Sequence, residues 1–225
     1  LYAFPENTKK IRNIILAATF AGLAILTKGP VGFLLIALTG GVFLLWVKFR
    51  VKVRVIDVVT YFIVLVLVGG SWFIIQILTG NFDTVVDFIV YQVRLFQTQD
   101  AGHGGFFGYH FVVLFFGVFP SSILALKAFG KEPSDENFYP FMKKWMVILF
   151  WVVLILFSIV KTKIVHYSSL AYFPITFLAA GFVYRAWQNQ FKWSKWMSAI
   201  IIAISVLVAL PVMLLPFVDK FKYKI

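Results

Sequence analysis

The 225-residue chain is 61% hydrophobic and 19% aromatic with only 13% charged residues, far above the roughly 45–50% apolar content of a soluble domain, which excludes an ordinary soluble protein. Its formal charge of +12 lies in short loops between apolar runs rather than on one basic face, so it argues against a nucleic-acid partner and for a membrane with Lys and Arg biased to one side. The absence of cysteine removes disulfides and thiolate metal sites.

Apolar runs long enough to cross ~30 Å of hydrocarbon, about 17–25 residues, fall near 11–27, 31–47, 56–79, 109–127, 143–160, 167–186 and 196–217. Lipid offers backbone N–H and C=O groups no partners, so each run must be helical. The expected fold is an all-α, polytopic transmembrane bundle of about seven spans, with residues 1–225 forming a single transmembrane domain. The first two spans are joined by Lys28-Gly29-Pro30, a tight turn in which glycine allows unusual torsions and proline opens the next helix. Between the third and fourth spans, residues 80–108 begin with Asp83, Asp87 and the periodic apolar set Val85, Val86, Phe88, Ile89, Tyr91 and Val93. This predicts an amphipathic helix at the interface. Ala101-Gly102-His103-Gly104-Gly105 then reads as a glycine-rich loop. Pro211 and Pro216 are expected to break the last span. The chain starts at Leu1 and stops in Lys222-Tyr223-Lys224-Ile225 just after an apolar run, as expected of a piece of a longer protein.

Alternating sides along the spans gives one side fourteen of the 21 Lys and Arg residues and the other side seven. The richer side reads as cytoplasmic. Lys28, Arg94, His103, His110, Lys161, Lys163, His166 and Tyr167 then face outward, where cations are normally scarce.

Each of these outward groups has two readings. Lys28 is a snorkelling or capping lysine, or a phosphate contact beside the N–H groups that open the next helix. Arg94 pairs with lipid headgroups, Asp87 or Asp100, or its planar fork binds phosphate bidentately. His103, with glycine on both sides, is a plain loop histidine or lines a ligand cavity. It is the candidate metal ligand, but no second ligand follows at a metal-site spacing, so no metal site is assigned. Lys161, Lys163, His166 and Tyr167 are either snorkelling cations with a belt tyrosine, or a cluster converging on one small anion. Outward carboxylates are few, and no Ser-His-Asp order, Walker loop or dinucleotide fingerprint occurs. An anion site is more legible than a catalyst.

Three ordered stretches resemble the polytopic GT-C class glycosyltransferases of the protein O-mannosyltransferase and lipid A aminoarabinose transferase superfamily. They are Gly22 through Thr27-Lys28-Gly29-Pro30-Val31-Gly32; Arg94-Leu95-Phe96 with His103-Gly104-Gly105 and Phe119-Pro120; and Phe157-Ser158 through Lys161, Lys163 and Tyr167. The resemblance implies an enzyme that moves a sugar from a polyprenyl-phosphate carrier to a lipid or protein acceptor on the outer face of a bacterial inner membrane, its site facing the periplasm. By that analogy Arg94, Lys161, Lys163 and Tyr167 hold the donor phosphate, while Lys28, His103 and His166 line the cavity. The acidic base belongs to a loop expected upstream of Leu1, so the chain by itself is expected to be inactive. Tyr91-Gln92-Val93 stands where the family often has a histidine or glutamate, which leaves a divalent metal an open cofactor question.

Two other classes fit the composition. A transporter or lipid flippase would place ionisable groups or broken helices near mid-membrane, and a non-catalytic subunit would hold anionic membrane lipid through the same outer basic patch.

Overall fold

The computed structural model describes residues 10–50, 54–98, 104–130, 138–190 and 192–222, and among them every regular element is helical. Helix α1 (Lys10–Lys28) turns through Gly29 into α2 (Pro30–Trp46). Gly29 has φ +64°, and a Cβ there would lie 2.8 Å from Phe88 Cζ, so torsion and space both require glycine. Helix α3 (Val55–Gly69) runs beside α1 in the same direction. At their starts Asp57 takes an ion pair from Lys10 and two N–H groups from Arg54, at 3.0 and 3.2 Å. Farther along, Gly22 packs directly on Val68 and Gly69, a small-residue crossing of the kind that lets backbones approach in lipid.

Helix α4 (Ser71–Leu78) continues α3 after a bend of 54°, located at the Gly69-Gly70-Ser71 sequence that weakens helix continuity. The span expected over 56–79 is therefore bent. Helix α5 (Phe82–Gln97) realises the expected amphipathic element, and Phe88 anchors it on Trp72 and Phe73 with ring centroids 5.6 and 5.9 Å apart.

The run expected as one span over 109–127 divides into α6 (Tyr109–Gly117) and α7 (Ser121–Ala128), which meet at 107°. Pro120 supplies no N–H at this corner, its peptide bond with Phe119 is cis, and the Ser122 hydroxyl donates to the Phe115 carbonyl across the turn at 2.6 Å. Helix α8 (Phe138–Ile159) leads through a short 3-10 segment (Val165–Ala171) to α9 (Tyr172–Trp187) and then to α10 (Lys195–Lys222). Contrary to the sequence expectation, α10 runs on through Pro211 and Pro216, because proline removes single ladder bonds without ending an otherwise apolar helix.

Leu114, Ile123, Val153, Leu154, Leu178 and Phe182, contributed by α6 to α9, form the buried centre with Met197 of α10. Elsewhere large apolar side chains such as Phe20, Phe62, Phe173 and Met213 are exposed, as suits helices whose solvent is hydrocarbon. Among the described residues four helices are long and apolar enough to cross a membrane: Lys10–Lys28, Phe141–Ile159, Val165–Trp187 and Lys195–Leu214. The two bent pairs raise the count to six, and Pro30–Trp46 is a shorter apolar helix.

The bundle has two chemically different ends. At one, Phe43 stacks on Trp145 at 4.2 Å, Lys143 donates to the Gly130 carbonyl at 2.7 Å, and Lys127 lies 5.8 Å from the Trp196 ring. These contacts gather the end of α2, the end of α7 and the starts of α8 and α10. The opposite end carries the Lys28 turn, α5 and the segment after α8.

Candidate functional site

Helix α8 stops at Ile159, and the chain folds back so that Lys163 caps the helix it has just left. Its ammonium donates to the carbonyls of Phe157 at 3.0 Å and Ser158 at 2.6 Å. Those carbonyls lack intrahelical partners and carry the negative end of the helix dipole, so a cation is favoured there. Lys163 is only 5% exposed. Its stem lies against Gly105, where a Cβ would come within 3.0 Å of Lys163 Cγ, so the end of the glycine-rich loop is what lets the lysine pack inward.

Two hydrogen bonds tie this segment to the end of α5. The Lys161 N–H donates to the Phe96 carbonyl at 3.3 Å, and the Thr162 hydroxyl donates to the Thr98 carbonyl at 2.7 Å. Between them opens a cavity of about 510 Å³ whose polar lining is Gln97, Thr98, Gly105, Ser158, Lys161 and Lys163. Among the described residues no carboxylate lines it. An ammonium has three N–H donors, and two carbonyls engage Lys163, which leaves a third for a ligand. A second cavity, about 500 Å³ between α7 and α9, is walled mainly by Leu124, Ala179, Val183 and Trp187 and has no such chemistry.

Behind the polar cavity lies a buried pair. His110 Nδ1 and the Ser168 hydroxyl are 3.0 Å apart, joining α6 to the 3-10 segment. The His110 ring sits 6.1 Å from the Phe157 ring. Among the described residues His110 Nε2 and Ser158 Oγ are buried without a hydrogen-bond partner.

The residues singled out in the sequence are distributed unevenly around this site. Lys161 and Lys163 line the cavity. Arg94 is exposed on α5 one turn before Gln97, with its carbonyl accepting from the Thr98 N–H and hydroxyl, each at 2.8 Å. Its guanidinium carbon lies 5.2 Å from the Tyr91 ring centroid, and Arg94 is not among the lining residues. Tyr167 is half-buried against Phe157 with ring centroids 5.5 Å apart, and exposed His166 packs edge-on to it at 5.2 Å. Neither lines the cavity. Lys28 is exposed at a turn whose Gly29 touches Phe88 and faces Gln92 of α5, so α5 connects that turn to the cavity without bringing the lysine into its wall. His103 and Asp100 lie outside the described residues. Sequence reasoning placed Ser158 in the third stretch without giving it a role, and missed Gln97, Thr98 and Thr162 as site residues. Thr162 sits between two flagged lysines, but an isolated serine, threonine or glutamine near a helix end carries no signal of its own.

Burial pushes the Lys163 ammonium below the ordinary lysine range, and this gives a pH test. Anion binding needs the charged form, so affinity should fall as pH rises through the lowered value, earlier than an exposed lysine would cause. Stability should move the other way. Between the folded and unfolded pKa values the unfolded chain holds the extra proton, so raising pH favours the fold. Titrating phosphate affinity and melting temperature between neutral pH and about pH 10.5 checks both signs, and Lys163→Met should remove both dependences.

The architecture is that of a helical protein whose longer helices can span a membrane and whose cation-lined cavity opens at one end of the bundle. No family model and no solved structure matches the chain. Two proteins of Aquifex aeolicus (strain VF5), both described only as uncharacterized, are similar to it. One is 30% identical over 176 residues, which cover 76% of this chain and 38% of that protein. The other is 28% identical over 187 residues, covering 81% and 36% respectively. The chain therefore spans 36–38% of the length of these curated relatives.

Proposed function

We propose that the chain is the donor-phosphate-binding portion of a glycosyltransferase that takes a sugar from a polyprenyl-phosphate carrier and passes it to a lipid or protein acceptor. The observation that carries this reading is the buried Lys163 in the wall of a polar cavity shared with Lys161. The resemblance of three stretches to the GT-C class adds the reaction type. With Pro30–Trp46 counted as a crossing, the bundle has about seven spans, and Phe82–Gln97 forms an outer interfacial helix. The cavity end then faces the periplasm of a bacterial inner membrane, because the opposite end carries the larger share of Lys and Arg.

The chemistry follows from the charges. As the glycosidic bond breaks, negative charge builds on the lipid phosphate. Lys163, held beforehand by two carbonyls, stabilises that charge without reorganising, and the nearby Lys161 adds a second positive charge. Arg94, one turn before the lining Gln97, and Tyr167, packed on Phe157 next to the lining Ser158, contribute from the rim. A base that activates the acceptor comes from outside this chain, and a divalent metal stays a separate question for that complete site.

The bent pairs α3–α4 and α6–α7 favour a second reading, a transporter or flippase, since such proteins place broken helices around their substrate. The polar cavity, however, lies among helix ends rather than between the bent pairs. The full-length protein in proteoliposomes, given a labelled isoprenyl-phosphate sugar and a lipid acceptor, should transfer label to the acceptor. Arg94→Ala and Tyr167→Phe should each abolish that transfer while leaving insertion intact. Flux of the lipid across the bilayer with no transfer would instead establish the second reading.

A further inference from the structure

We infer that the Ser158 hydroxyl is a ligand-binding group of this cavity, donating a hydrogen bond to a phosphate oxygen beside the Lys163 ammonium. This rests on the phosphate-site reading above and adds to it a residue chosen for recognition.

Hydroxyls inside helices ordinarily satisfy themselves by donating to the carbonyl one turn back. In this chain Thr19, Thr27, Thr39, Thr60, Thr79 and Thr176 all do so, at 2.7–3.1 Å. Ser158 does not. It lies in the last turn of α8, is 3% exposed, and its Oγ has no partner among the described residues. A buried hydroxyl left unbonded costs stability that an alanine would not, so its presence calls for a partner that the described residues do not supply.

Position says what that partner is. Ser158 lines the cavity together with Lys161 and Lys163, and its own carbonyl holds the Lys163 ammonium at 2.6 Å. One residue thus fixes the cation and sets an unpartnered hydroxyl in the same wall. A ligand that engages an ammonium and a hydroxyl at neighbouring points, where no carboxylate is among the described lining residues, is an anion with several acceptor oxygens. Phosphate meets that description, whether as a lipid headgroup or free.

The test uses the chain in lipid nanodiscs, titrated with farnesyl phosphate and with inorganic phosphate. Loss of a hydrogen bond to a charged group predicts that Ser158→Ala weakens binding about tenfold or more. Its melting temperature without ligand should stay unchanged or rise. Ser158→Thr, which keeps the hydroxyl, should bind within about threefold of wild type, well inside that loss. Both phosphates should show the Ser158 dependence, and tighter binding of farnesyl phosphate assigns the ligand to a lipid headgroup. Wild-type affinity in Ser158→Ala, with affinity lost in Lys163→Met, would overturn the inference and leave the phosphate site standing. Wild-type affinity in both variants would overturn the two together. A fall in melting temperature alongside lost binding in Ser158→Ala would assign the hydroxyl a structural role and also overturn it.

Discussion

Lys163→Met should lower affinity for farnesyl phosphate about a hundredfold, with the fold retained. Methionine matches the length and apolar stem of lysine, so the contact against Gly105 survives, while the charge and all three donors disappear. Truncating one partner of a buried, hydrogen-bonded charge pair costs roughly 2–5 kcal/mol of binding, and about 3 kcal/mol corresponds to the stated loss. The unliganded protein should tolerate the change. Burial already disfavours the Lys163 charge, so removing it recovers desolvation cost and offsets the lost donors at Phe157 and Ser158. Lys163→Arg should not restore binding, because the larger planar group must fit where the stem already sits 3.0 Å from a Cβ position at Gly105. Titration of the purified variants, with melting curves beside each, reads binding and stability separately.

The second large effect belongs to the helix crossing that aligns the bundle. Gly22→Ala would set a Cβ 2.7 Å from Val68 Cβ and 2.8 Å from the Gly69 nitrogen. Neither atom is the free end of a flexible side chain, so α1 and α3 must move apart. Helix propensity favours alanine over glycine by about 1 kcal/mol, but overpacking of this kind costs roughly 1–3 kcal/mol and at a backbone contact lies toward the upper part of that range. The expected net result is a destabilised chain with a lower melting temperature. Gly40→Ala in α2, where a Cβ meets nothing within 4 Å, should be neutral or stabilising in the same measurement.

Much of the architecture was legible because apolar run length and the lipid environment leave helices as the main option. The Lys28-Gly29-Pro30 turn and the amphipathic α5 were readable from local chemistry, since a positive φ, a proline at a helix start and an apolar periodicity each leave marks in sequence. The bends were not. Gly69-Gly70 and Phe119-Pro120 sit within continuous apolar runs, and hydrophobicity does not distinguish a straight crossing from a corner. Pro211 and Pro216 misled in the opposite direction, because a proline tolerated in an exposed apolar helix looks the same in sequence as one that ends it.

At the site, cations and glycines drew attention to three stretches, and the structure brings parts of the second and third together through Thr98, Thr162 and Gly105. Lys163 facing inward while Lys161 stays exposed could not be read from two lysines with one residue between them. That difference is set by the return of the chain onto the α8 carbonyls. Ser158 stood in the third stretch, but a role for its hydroxyl was hidden for a related reason: its meaning lies in a hydrogen bond that it does not make among the described residues.

A paired titration of farnesyl phosphate and farnesol into wild type and Lys163→Met bears on the whole reading, because the two ligands share an apolar tail and differ only in the phosphate. Wild type should prefer the phosphate by a wide margin, and Lys163→Met should bind both with the same weak affinity. Equal binding of the two ligands by wild type, or a preference for the phosphate undiminished in Lys163→Met, would contradict a phosphate site in this cavity.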